Sequence, residues 1–185
     1  MCNTKEVALA VTVYVVEILA IILGNAATIV VFWKRRSQLK RTSYLLINLA
    51  IADLMVGVSN IESVVGEIWK LSSSNCKPSW RNYVVLDVLF ERASIDFLVL
   101  ISLERLHAIV CPFRLRATAT RKYFYSIGAV WLMSTLLPVF KLLNVFTRVT
   151  QKTVSWVASM HSCACLFMIS CAYSLIWFFS KKQDA

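Results

Sequence analysis

The sequence has little charge and long stretches that have none. Asp, Glu, Lys and Arg make up 16% of its 185 residues, whereas hydrophobic residues make up 58%. The mean hydropathy is +0.66. A soluble domain of this size needs a more polar surface to cover its core, so the composition argues against one.

Residues that usually build catalytic or transport sites are also scarce. The only two histidines, His107 and His161, are isolated in the sequence, and there is no metal-ligand spacing and no internal repeat. No nucleophile, base or metal set converges, so we expect neither an enzyme nor a cofactor. Only four glycines and three prolines occur. The lack of Gly/Pro-interrupted helix pairs counts against a small transporter.

The apolar residues instead fall in long blocks. A membrane-spanning helix needs about 20 mostly apolar residues to cross about 30 Å of hydrocarbon. The sequence therefore predicts an all-α membrane protein, a helical bundle within one domain over residues 1–185. Five windows meet the length requirement: 7–33, 43–66, 83–111, 123–146 and 157–179.

Basic residues are unevenly divided between the two sides of these spans. If the first span exits into the cytoplasm, segments 34–41, 105–122 and 181–182 hold twelve Lys and Arg residues, against six outside. This positive-inside bias predicts an extracellular N-terminus and a cytoplasmic C-terminus. We interpret the basic clusters as orientation signals and contacts with the lipid bilayer, not as a nucleic-acid interface.

Two of the six cysteines, Cys2 and Cys76, would face the oxidising side, where they could pair; the sequence alone does not decide this. The other four lie in or beside the spans, where small apolar packing is the expected role. They are Cys111, Cys163, Cys165 and Cys171.

Ionisable residues inside the spans are costly there, so they usually face a bundle interior or water. Asp53 lies near the middle of the second span. It is either a functional polar site or a protonated carboxyl bonded to a neighbouring helix.

The third span carries a polar stripe along one face. At about 100° per residue, Asp87, Glu91, Ser94 and Arg105 share that face. Arg92 and Asp96 lie on the opposite side, four residues apart, and we expect them to form a salt bridge with each other.

Several motifs together resemble the rhodopsin class of G-protein-coupled receptors. Span two reads NLAIADL over residues 48–54, and span three ends in the sequence ERLHAIVCP over 104–112, similar to that class's acidic-Arg motif with its following proline. Asn25 in span one, and Trp131 and Pro138 in span four, occupy positions typical of the class. The resemblance implies five of the seven helices of such a receptor.

The resemblance also implies roles for named residues. Asp53 and Ser94 fall at positions that hold an allosteric sodium ion, the one metal we expect. Glu104 and Arg105 resemble the pair that restrains the cytoplasmic side and couples to the G protein. A charge-assisted contact that a conformational change can break is a bistable element.

Asp87 falls where amine receptors of this class bind the ligand's ammonium group. Glu91 lies one turn deeper and makes the pocket more acidic than one positive charge requires. Either one acid is protonated, because two close carboxylates resist joint ionisation, or the ligand carries more than one positive charge. The alternative is that both acids only face a wet cavity.

Other features resemble a different branch of the class. The usual cysteine 25 residues before Arg105 is replaced by Trp80, segment 147–156 has no cysteine, and span five has no proline. These absences resemble the melanocortin, adenosine, cannabinoid and lysolipid receptors, and the stretch 49–62 looks especially like melanocortin receptors. The ligand class therefore stays open between an amine and the ligands of that branch.

The class implies a plasma-membrane receptor that binds an extracellular ligand, heterotrimeric G proteins and arrestin, and that can form homomers or heteromers. Because the class has seven spans, we expect this sequence to be an incomplete chain that does not activate a G protein by itself. The alternative hypothesis is a short form that pairs with full-length receptors and modulates them.

Overall fold

A computed structural model describes residues 4–39, 41–72, 84–111, 120–147 and 151–183 of the chain. Helices account for nearly all of these residues, and no strand occurs among them, which confirms the predicted all-α class. A short 3-10 helix, Arg36–Gln38, follows the first long helix. The five long helices are α1 Thr4–Lys34, α2 Arg41–Ser72, α3 Val84–Val110, α4 Thr120–Thr147 and α5 Gln151–Gln183.

Three helices are long and apolar enough to cross a membrane, judged over the described residues alone. The qualifying segments are Val11–Lys34 in α1, Thr42–Ile61 in α2 and Trp156–Lys182 in α5. Helix α1 carries many apolar side chains that are more than half exposed, as a lipid-facing helix would. Each predicted span corresponds to one helix; α3 agrees with its span to within one residue at each end, and the other helices extend up to six residues beyond theirs. The membrane boundaries of the spans stay a prediction.

Helix α3 is the centre of the bundle. It packs against α2, α4 and α5, whereas α1 packs against α2. Small side chains allow the close approach of α2 and α3, since Ala52 and Ala93 are fully buried beside Phe97. Small residues at helix interfaces are the usual means by which membrane helices approach each other.

Gly57 permits a similarly close contact between α1 and α2. A Cβ atom at this position would lie 2.8 Å from Cγ1 of Ile22 and 3.1 Å from Cγ2 of Ile21. Both distances are shorter than ordinary van der Waals contact between carbon atoms. The absence of a side chain at Gly57 therefore sets the separation of the first two helices.

Candidate functional site

The two acids predicted to bind a ligand lie near the start of α3. Asp87 is half-buried, and its Oδ1 accepts a hydrogen bond of 3.1 Å from the hydroxyl of Ser59 on α2. Glu91 is exposed. Among the described side chains, no Lys or Arg forms an ion pair with either carboxylate. Within the described part of the chain, both carboxylates thus lack a cationic partner.

Further along α3, Ser94 meets Asp53 of α2. The Ser94 hydroxyl donates a hydrogen bond to Oδ1 of Asp53, and both residues are half-buried. Carboxylate and hydroxyl oxygens are the hard ligands that small cations such as Na⁺ prefer. The two residues predicted for sodium thus lie in contact, and their donor atoms fit that ion.

Glu104 has partners on other helices that the sequence did not reveal. Its side chain is 9% exposed, and its Oε1 accepts hydrogen bonds from Thr42 on α2 at 2.8 Å and from Tyr123 on α4 at 3.4 Å. The other oxygen, Oε2, lies 3.9 Å from Nε of Arg105, whose side chain is 54% exposed. Glu104 is therefore held mainly by α2 and α4, and its contact with Arg105 is loose.

The polar motif residues of spans two and four contact each other directly. Trp131 of α4 donates a hydrogen bond of 3.1 Å from its indole nitrogen to Oδ1 of Asn48 on α2. The edge-on contact of Trp131 with Phe97, at 5.7 Å between ring centroids, joins the same interface to α3. Asn25 instead bonds to the carbonyl of Ile21 in its own helix. Pro138 is buried within α4.

The expected direct pair of Arg92 and Asp96 is wrong, because His161 of α5 lies between them. Nη1 of Arg92 is 2.9 Å from Nδ1 of His161, and Nε2 of His161 is 3.3 Å from Oδ1 of Asp96. Ser134 of α4 donates to the other Asp96 oxygen at 3.2 Å. Periodicity along α3 cannot show which side chains another helix brings to the same place.

His161 also has a cysteine beside it. Cys165, one turn further along α5, is buried, and its Sγ lies 3.7 Å from Oδ1 of Asp96. The histidine that looks isolated in the sequence thus belongs to a polar cluster in space, together with Arg92, Asp96, Ser134 and Cys165. The predicted pairing of Cys2 with Cys76 falls outside the residues that the structure describes and stays a prediction.

Comparison with known proteins places most of the chain in one family of sequences. The model of a family described as "7 transmembrane receptor (rhodopsin family)" matches residues 24–181. Octopamine receptor beta-1R of Drosophila melanogaster is 30% identical over 164 residues, which cover 86% of this chain and 31% of that protein. Octopamine receptor beta-3R of the same organism is 32% identical over 169 residues, covering 86% and 13%. The chain therefore spans less than a third of the length of these relatives.

Proposed function

Because the chain belongs to the rhodopsin family of seven-transmembrane receptors, we propose that it senses an extracellular amine and that, together with the remaining helices of such a receptor, it signals to heterotrimeric G proteins. Proteins of this family are membrane receptors and in general not enzymes. The proposal that the ligand is an amine rests on Asp87, a half-buried carboxylate on the central helix. It accepts a hydrogen bond from a hydroxyl group, and no Lys or Arg among the described residues forms an ion pair with it.

The surroundings of Asp87 suit an ammonium group. Ser59 uses one acceptor position of the carboxylate, and the remaining lone pairs are available to a charged N–H donor. Burial strengthens such a pair, because water screens it less. The relatives named as octopamine receptors favour an amine over the ligands of the melanocortin and adenosine branch.

Glu91 gives the proposed pocket a second acid. It is exposed, whereas Asp87 is half-buried, so the two carboxylates have different surroundings. A ligand with a single amine would bind at Asp87, where the partly desolvated carboxylate is the stronger partner. A second positive or hydrogen-bonding group on the ligand would reach Glu91.

At the other end of α3, we propose that Glu104 and Arg105 form the coupling site for the G protein and for arrestin. The exposed Arg105 is loosely held at 3.9 Å, and its release therefore requires little energy. Glu104 stays anchored through Thr42 and Tyr123 when Arg105 moves. This proposal places the chain in the plasma membrane, with its N-terminus outside and Arg105 in the cytoplasm.

We also propose that Asp53 and Ser94 hold an allosteric sodium ion between α2 and α3. The hydrogen bond between them brings a carboxylate oxygen and a hydroxyl oxygen to one point of the interface. A bound Na⁺ would add a positive charge there and would stabilise the ionised form of Asp53 inside the membrane.

Amine binding can be measured on the 185-residue chain in detergent micelles, with octopamine and a few other primary amines as probes. We expect Asp87→Asn to weaken octopamine binding by about tenfold or more, since a hydrogen bond to a charged group contributes about 1.5–3 kcal/mol. Glu17→Gln, which removes an exposed carboxylate from α1, should leave binding unchanged.

A second control separates charge recognition from general apolar binding. An octopamine analogue without the amino group should bind the original protein and Asp87→Asn equally weakly. The proposal is contradicted if the original chain binds none of the amines, or if Asp87→Asn binds octopamine as well as Glu17→Gln does.

A further inference from the structure

A cluster outside the proposed ligand and sodium sites contains three side chains with different metal-binding atoms. Asp96 of α3 and His161 and Cys165 of α5 each offer one such atom, and these atoms all lie within 4.8 Å of one another. His161 and Cys165 are four residues apart, so they lie on the same face of α5 one turn apart. Asp96 faces them from the central helix.

The spacing of these atoms matches the edges of a tetrahedral zinc site. Zinc binds sulfur at about 2.3 Å and nitrogen or oxygen at about 2.0–2.2 Å. At tetrahedral angles, these bond lengths require about 3.4 Å between nitrogen and oxygen and about 3.6 Å from sulfur to either. The observed distances are 3.3 Å from His161 Nε2 to Asp96 Oδ1, and 3.7 Å from Cys165 Sγ to each of these atoms.

Hydrogen bonding alone explains this spacing less well. An N–H···O bond normally measures about 2.7–3.2 Å, and the 3.3 Å between His161 Nε2 and Asp96 Oδ1 lies at the long end of such bonds. A thiol is a weak donor, so Cys165 gains little from Asp96 without a metal. The three atoms therefore make only weak hydrogen bonds with one another, and their spacing also suits one shared ion.

The chemistry of the three ligands selects a class of metal. Imidazole and thiolate favour Zn²⁺ and similar transition metals, whereas Na⁺, Mg²⁺ and Ca²⁺ prefer oxygen ligands alone. Cys165 is buried, but the His161 side chain is 38% exposed and the Asp96 side chain 16% exposed. The described residues thus leave the site open beside His161, and an oxygen ligand such as water would take the fourth coordination position.

We propose that Asp96, His161 and Cys165 form a transition-metal site, suited to Zn²⁺, that links α3 to α5. On binding, the Cys165 thiol releases its proton to solvent and the metal occupies the lone pair of His161 Nε2. The ion replaces the weak contacts between the two helices with coordination bonds. It therefore holds α5 against the central helix.

Arg92 lowers the affinity of the proposed site for a metal ion. A guanidinium has only donors, so Nδ1 of His161 accepts from Arg92 and the imidazole proton sits on Nε2, facing Asp96. Binding the metal at Nε2 moves that proton to Nδ1, where Arg92 is then a second donor. Arg92 has to turn away, and its positive charge also repels the ion.

Binding can be measured by titrating Co²⁺ into the purified full chain, kept reduced and without a histidine tag. A site with one thiolate should give the charge-transfer absorption of a Co–S bond and the visible bands of tetrahedral cobalt. We expect one equivalent per chain, displaced by Zn²⁺ but not by Mg²⁺. Asp96→Asn, His161→Gln and Cys165→Ser should each weaken binding at least about tenfold.

Matched controls come from the same helix and from Arg92. Cys163→Ser and Cys171→Ser remove thiols that the structure places outside the cluster, and they should leave the Co–S absorption unchanged. Arg92→Gln keeps all three ligands and offers an oxygen to the Nδ1 proton of His161. It should tighten Co²⁺ binding by about tenfold, the size of effect that neighbours of metal ligands have.

The Arg92 variant keeps the test decisive even if a ligand variant fails to fold, since it retains the site and must gain affinity. The proposal is overturned if the original chain gives no Co–S absorption at one equivalent. It is also overturned if Cys165→Ser keeps that absorption, or if Arg92→Gln binds Co²⁺ more weakly than the original chain.

Discussion

The hydrogen bond between Trp131 and Asn48 can be tested with a double-mutant cycle. Such a cycle distinguishes two side chains that contact each other from two that contribute to stability independently. Trp131→Phe removes the indole N–H but keeps an aromatic ring against Phe97. Asn48→Ala removes the acceptor. If the 3.1 Å bond exists, the two losses are not additive, because the second substitution removes a bond that the first has already broken.

The expected size follows from the membrane setting of the bond. Hydrogen bonds between membrane helices average about 0.6 kcal/mol in double-mutant cycles and reach about 1.7 kcal/mol. A length of 3.1 Å between two half-buried side chains is ordinary hydrogen-bond geometry, so we expect a coupling energy within that range. Trp131→Phe by itself should cost more, since it leaves Oδ1 of Asn48 without this donor.

Reversible unfolding in mixed micelles, followed by circular dichroism, measures the four free energies of the cycle. Circular dichroism is preferable to fluorescence because two of the four proteins in the cycle lack Trp131. The control cycle pairs Trp131→Phe with Asn25→Ala, since Asn25 bonds within its own helix, and should be additive. A coupling energy for Asn48 no larger than that of the Asn25 control would refute the contact.

Two further predictions concern the packing of α1 and the sodium site. Gly57→Ala should destabilise the chain by about 1–3 kcal/mol, because the new Cβ would lie 2.8 Å from Ile22; Gly128→Ala, in open space, should instead stabilise it by about 0.5–1 kcal/mol. Equal unfolding free energies for the two variants would contradict this. Na⁺ should raise the thermal unfolding midpoint relative to K⁺ at equal ionic strength, and Asp53→Asn should abolish the difference while Ser94→Ala reduces it. A midpoint that does not distinguish the two cations would exclude the sodium site.

The sequence alone was sufficient for the fold class and the family. Inside a bilayer every backbone polar group must bond within the protein, so a run of about 20 apolar residues can only be a helix. The NLAIADL and ER motifs pointed to the receptor family that the comparisons then showed. The motifs also singled out Asp53 and Ser94, which the structure brings into contact.

Contacts between helices required the tertiary structure. Periodicity assigns a residue to a face of its own helix, but the rotation and axial shift of neighbouring helices decide what that face meets. Nothing near Glu104 in the sequence indicates Thr42, 62 positions away, as its hydrogen-bond donor. Likewise, Arg92 and Asp96 were expected to pair because both lie on α3, and only the packing of α5 against α3 shows that His161 separates them.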